Sequence, residues 1–156
     1  MRRLAACLCL SLLMTSAALA QSACPTASGM ELTAATASPE LEPARLTLDK
    51  PATVALHPAN DVRFVIAPAK ARSEGSFGGM LSLDLHEAGT YQVGLSQGAW
   101  LDMVQDGAAV ASSGHGHDAQ CASLRKMVAF TLKPGRHVIQ LSGNKEDTIQ
   151  VVVSRK

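Results

Sequence analysis

The stretch LRKMVAFTLKPGRHVIQLSG, residues 124–143, decides the fold class. Val128, Phe130 and Leu132 alternate with Ala129, Thr131 and Lys133, so at the two-residue period of a strand one row faces a core and the other faces away. Beyond Pro134-Gly135 the alternation resumes, with Val138 and Ile139 opening a second run and Leu141 continuing its inward row. Proline fixes one φ and glycine accepts a positive one, so the pair reads as a tight turn and the two runs as an antiparallel hairpin. An isolated hairpin is not stable in water, and its apolar face needs further strands.

The chain supplies them on both sides. Leu81, Leu83 and Leu85 alternate strictly with Ser82, Asp84 and His86, and Glu87-Ala88-Gly89 turns into a row of Tyr91, Val93 and Leu95. Residues 96–98 turn the chain again into 100–104, Asp106-Gly107 is a favoured turn pair before 108–111, and Gly143-Asn144 leads to a last strand over 148–153. Further upstream, Leu46 and Leu48, Val54 and Leu56, and Val62, Phe64 and Ile66 form short runs broken by Pro51, Pro58 and Pro68. Short strands at intervals of about 8–12 residues, with no amphipathic helix between them, predict an all-β, single-domain antiparallel β-sandwich of jelly-roll type. Tyr91 and Trp100 are expected in the core, with Met80, Met103 and Met127 as core filler.

Residues 1–20 read as a cleaved signal peptide: Arg2 and Arg3, an apolar run over 4–14, and the small-x-small site Ala18-Leu19-Ala20. The product is expected in a bacterial periplasm or outside the cell, and no later stretch is long and apolar enough to span a bilayer. Removal of the signal leaves twelve Lys and Arg against 13 acids, a formal charge of −1, with no basic patch for nucleic acid. Residues 21–44 are rich in Ala, Ser, Thr and Pro without a sustained period and read as a flexible lead-in, the domain proper spanning 45–156.

Two cysteines survive cleavage, Cys24 and Cys121, and in an oxidising compartment they are expected to pair. Lipidation at Cys24 competes with that reading, but Gln21 stands where a lipobox wants an aliphatic residue, and Ala20 offers an ordinary cut.

The phrasing LSLDLHEAGTYQVGL, then a Trp-Leu-Asp strand, then FTLKPGRHVIQLSG, resembles the small β-sandwich modules of pre-peptidase C-terminal type that are appended to bacterial proteases and glycosidases. The likeness covers about residues 79–153 and implies a sandwich fold with no catalytic residues. The whole chain also resembles a group of small exported proteobacterial proteins with HGH-x3-C followed by RKMV-x-F-x-L-x-PG, some of which go under the name homogentisate 1,2-dioxygenase. That enzyme is several times longer and cupin-like, and no iron-ligand set from it aligns onto these residues.

Chemistry concentrates in Gly114-His115-Gly116-His117-Asp118. Histidines at i and i+2 on extended backbone leave the same face and can converge on one ion, with the glycines permitting close approach. Asp118 is the candidate third ligand or imidazole partner, and His57, His86 or His137 could arrive from another strand. Neutral imidazoles suit Zn(II) or Cu(II). The competing view is a solvated Gly-His loop with Cys121 spent in the disulfide. A cupin iron site needs a Glu where Cys121 stands, and Pro134-Gly135-Arg136-His137 is shorter than the second cupin segment. The expectation is therefore a binding or accessory protein with an unidentified protein or small-molecule partner. The alternatives are a non-catalytic interaction module or, less favoured, a cupin-like non-haem iron dioxygenase.

Overall fold

The computed structural model describes residues 29–38, 44–70, 73–117 and 121–156; residues 1–20, read above as a signal peptide, Cys24 and Asp118 lie outside them. The described residues form twelve strands: β1 (Met30–Thr33), β2 (Arg45–Leu46), β3 (Ala52–Ala55), β4 (His57–Pro58), β5 (Phe77–Leu85), β6 (Gly89–Leu95), β7 (Trp100–Gln105), β8 (Ala108–Val110), β9 (Ser112–Gly116), β10 (Lys126–Leu132), β11 (Gly135–Asn144) and β12 (Thr148–Arg155). They build two sheets packed face to face, the expected all-β sandwich. The first has the order β1-β3-β12-β6-β10-β9 and the second β2-β5-β11-β7-β8, with β4 also beside β5. Most pairs are antiparallel, but β1 runs parallel to β3 and β2 parallel to β5, so both sheets are mixed. No described helix is long and apolar enough to cross a membrane.

Alternation along each strand fills the space between the sheets. Val54, Val93, Leu95 and Val151 from the first sheet and Leu81, Ile139 and Leu141 from the second have no exposed surface and share one core. Burial of each such side chain is worth about 1.5–3 kcal/mol relative to exposure.

Residues 124–143 are extended as expected, but they are not a hairpin. β10 lies between β6 and β9 in the first sheet, whereas β11 lies between β5 and β7 in the second. Pro134-Gly135 therefore carries the chain from one sheet to the other, with Gly135 at φ 122°. The arch buries the same inward rows that a hairpin would, and it gives each strand a hydrogen-bonded neighbour on both sides. The β7–β8 connection is a true hairpin, with Asp106 and Gly107 both at positive φ as a type I′ turn requires.

Two further expectations change. Within residues 21–44, read as a flexible lead-in, Met30–Thr33 is a strand against β3, and Ala34 and Ala35 are buried. Ala35 also bridges to Met80, so this segment spans from one sheet to the other. Tyr91 takes its core place, its hydroxyl donating to the Glu87 carbonyl at 2.8 Å. Trp100 does not, being 37% exposed. Polar partners hold it at the surface: its Nε1 donates to Asp102 Oδ1 at 3.0 Å, and the Lys126 ammonium lies 5.1 Å from the ring centroid. Met80 and Met103 are core filler, while Met127 packs with Cys121, Leu124 and Val152 in a small cluster apart from the main core.

The outer face of the second sheet is covered by residues 59–70. Gln140, 1% exposed, clamps this strap with both ends of its amide: Ile66 N donates to Oε1 at 3.1 Å, and Nε2 donates to Ile66 O at 3.2 Å. Ala69 N donates to Asp102 Oδ2 at 3.2 Å further along. On the first sheet, among the described residues, Cys121 and Leu124 ahead of β10 fold over the outer face. Gly94 permits it, because a Cβ there would stand 2.9 Å from both Leu124 Cδ1 and Met127 Sδ.

Candidate functional site

β9 is an edge strand, bonded to β10 on one side, with the register Gly114↔Ala129, His115↔Val128 and Gly116↔Met127. Its serines and glycines carry little apolar surface, and the strand stays exposed except at Gly114. His115 and His117 line one shallow cleft of about 270 Å³ along this edge and the adjoining outer face, floored by Gln92, Met127 and Ala129. The glycines keep the floor open: a Cβ on Gly116 would meet nothing within 4 Å, and one on Gly114 would only touch Ala129 Cβ at 3.8 Å.

Each imidazole has one nitrogen engaged. His117 Nδ1 lies 2.6 Å from the Arg125 carbonyl oxygen, which can only accept, so Nδ1 carries the proton and Nε2 presents its lone pair. A backbone carbonyl orienting the distal nitrogen is the usual support for a metal-ligating histidine. His115 Nε2 is 3.3 Å from Ser112 Oγ; the tautomer that donates from Nε2 leaves Nδ1 free to ligate.

The other histidines stand elsewhere. His57 Nε2 bonds the Ala34 carbonyl at 2.9 Å from β4, beside the second sheet. His86 follows β5 and is exposed. His137 is wholly buried in the inward row of β11 opposite Leu83; its Nδ1 lies 3.1 Å from the Gly135 carbonyl, and its Nε2 has no hydrogen-bond partner of good geometry. Burial pushes its pKa below the ordinary value, against the opposing pull of the Gly135 and Leu83 backbone and of Asp106 and Asp84. Among the described residues no three His, Cys, Asp or Glu side chains form a metal-holding group, and Asp118 lies outside them.

Cys121 is 2% exposed and disulfide-bonded, its partner outside the described residues. It cannot serve as the carboxylate that a cupin iron site needs at that place.

Sequence reading missed the cationic side of this region. Arg125 is contiguous with the hairpin stretch but was silent as an isolated charge, and Lys145 belongs to a turn some twenty positions away in sequence, as the numbering shows. Only the fold brings them together beside His117. No protein-family model matches this chain, and no curated protein matches it.

Proposed function

We propose that the mature chain is an exported periplasmic or secreted binding protein whose ligand contact is the His115/His117 cleft, taking Zn(II) or Cu(II). The observation that carries this reading is that both histidines line one cleft while the Arg125 carbonyl fixes His117 with Nε2 available. Two imidazoles with water completing the shell make a modest, open site suited to capture or hand-over of an ion. Asp118, next in sequence, is the natural third ligand. With residues 1–20 removed, Cys24 is the one other cysteine of the chain and thus the partner for Cys121, which ties the β9–β10 connection to the N-terminal segment.

The likeness of residues 79–153 to non-catalytic appended modules supports binding over catalysis. A cupin-like dioxygenase draws least support, since its carboxylate place is occupied by a disulfide sulfur. An interaction module is the second reading, favoured by β9 itself: an exposed edge free of proline and of acidic or basic chains other than His115 can accept an added strand.

Calorimetric titration of oxidised 21–156 with Zn(II) and Cu(II), beside a His115→Ala/His117→Ala double variant, tests the proposal. The expected result is saturable binding at one ion per chain that weakens at least about tenfold in the variant. Equal binding by both proteins, or none by either, would remove the metal and leave the interaction module.

A further inference from the structure

Three connections meet at one end of the sandwich: residues 96–99 between β6 and β7, residues 121–125 leading into β10, and residues 145–147 between β11 and β12. They enclose a second cleft of about 400 Å³ whose charged lining is Arg125 and Lys145, with His117 at the wall shared with the first cleft. No acidic side chain lines it among the described residues. The acids that do form ion pairs are engaged elsewhere: Asp84 with Arg45 and Arg136, and Glu87 with Arg155. Neither Arg125 nor Lys145 joins an ion pair among the described residues.

The walls are fixed by bonds that do not use these two side chains. Gln97 Nε2 donates to the Thr148 carbonyl at 3.1 Å, tying the first connection to β12. Asn144, 1% exposed, donates from Nδ2 to the carbonyls of Glu146 at 2.8 Å and Thr148 at 3.3 Å, holding the turn that presents Lys145. Lys126 Nζ donates to the Ala99 carbonyl at 2.8 Å, so it braces the first connection rather than facing a ligand. Gly98 and Gly143 keep the mouth wide, because a Cβ on either would meet nothing within 4 Å. Gly143 also sits at φ 67°, a conformation that few other residues tolerate.

We infer that this end cleft is a binding site for a small multivalent oxyanion, a polycarboxylate or a phosphate, held between the Arg125 guanidinium and the Lys145 ammonium. Two cations without an ion-pair partner among the described residues, on one concave wall of a mature chain of slight negative charge, are a local feature and not a consequence of overall basicity. Guanidinium offers forked donors to carboxylate or phosphate oxygens, and the ammonium adds a point charge. The inference does not rest on the metal reading, although His117 lines both clefts.

The test is titration of metal-free, ¹⁵N-labelled 21–156 with inorganic phosphate and, separately, citrate, at constant ionic strength set by chloride. The expected result is saturable shifts of the Gly98, Arg125 and Gly143 amides with one or both anions; which anion binds more tightly identifies the source. Arg125→Ala/Lys145→Ala is expected to weaken binding at least about tenfold, while Lys50→Ala/Lys133→Ala and His115→Ala leave it unchanged. Unsaturable shifts, a site elsewhere, or equal loss in the Lys50/Lys133 control would overturn the inference. Because all four cations are exposed side chains, unchanged spectra away from the cleft will show that each variant is folded.

Discussion

Residues 59–70 lie across the outer face of the second sheet, whereas among the described residues the outer face of the first carries the short connection through Cys121 and Leu124. The difference follows from the side chains each sheet turns outward. The second presents Ser82, Gln140 and Ser142, all buried, and the Gln140 amide reproduces for Ile66 the paired bonds of a neighbouring strand. The first presents Gln92, Gly94, Ala129, Gly114 and Gly116, and there the histidine cleft opens. One outer face is closed by a strap, and the other carries the cleft proposed here as the ligand contact.

The largest effect on this contrast is expected from Cys121→Ser. It removes the tie over the first sheet and should cost about 2–5 kcal/mol, read as a lower urea midpoint, with the Leu124 and Gly94 amides losing exchange protection. Gln140→Ala is the matching cut on the second sheet. It strips Ile66 N and O of their partner and should cost about 1–3 kcal/mol, with faster amide exchange confined to residues 59–70. If exchange instead rises across β9 and β10, the two faces are not independent. Gly94→Ala pushes a methyl against Leu124 and Met127 and should cost about 1–2 kcal/mol by overpacking, without altering the strap. A loss as great in the strap as in the β9–β10 connection would erase the distinction.

The smallest effect is a pH dependence from His137. Its pKa is lowered in the folded state by burial, so the native protein holds fewer protons than the unfolded chain below about pH 6.5. Stability therefore falls as pH drops from about 6.5 toward the depressed folded value, by at most about 1.4 kcal/mol per pH unit. Urea unfolding at pH 7.5, 6.0 and 5.0 should show this slope, and His137→Phe should flatten it. Asp84 acts in a separate window, since its hydrogen bond and attraction to Arg136 lower its pKa and its contribution is lost only at more acidic pH.

Much of the sandwich was legible because Leu81, Leu83, Leu85, Tyr91, Val93 and Leu95 alternate cleanly and burial rewards that pattern whichever sheet receives the strand. For the same reason the pairing of residues 124–143 was not legible. A hairpin and an arch present identical inward rows, and only the partners β5, β6, β7 and β9 decide between them. Met30–Thr33 was missed because four residues with Glu31 and Thr33 facing out make too short a period to detect. His115 and His117 were visible as a spacing and do line one cleft. His137 was also visible as a possible ligand, yet it belongs to the inward row with Ile139 and Leu141. The Arg125–Lys145 juxtaposition had no local signal at all, being made by three connections from different parts of the chain.

The most direct test of the proposed histidine site is paramagnetic broadening of the amide resonances by substoichiometric Cu(II). The account predicts early, selective loss of the signals from residues 114–117, with Met127 and Ala129 following and residues 59–70 intact. Broadening centred on the strap or on His86, or spread evenly over the surface, would contradict it.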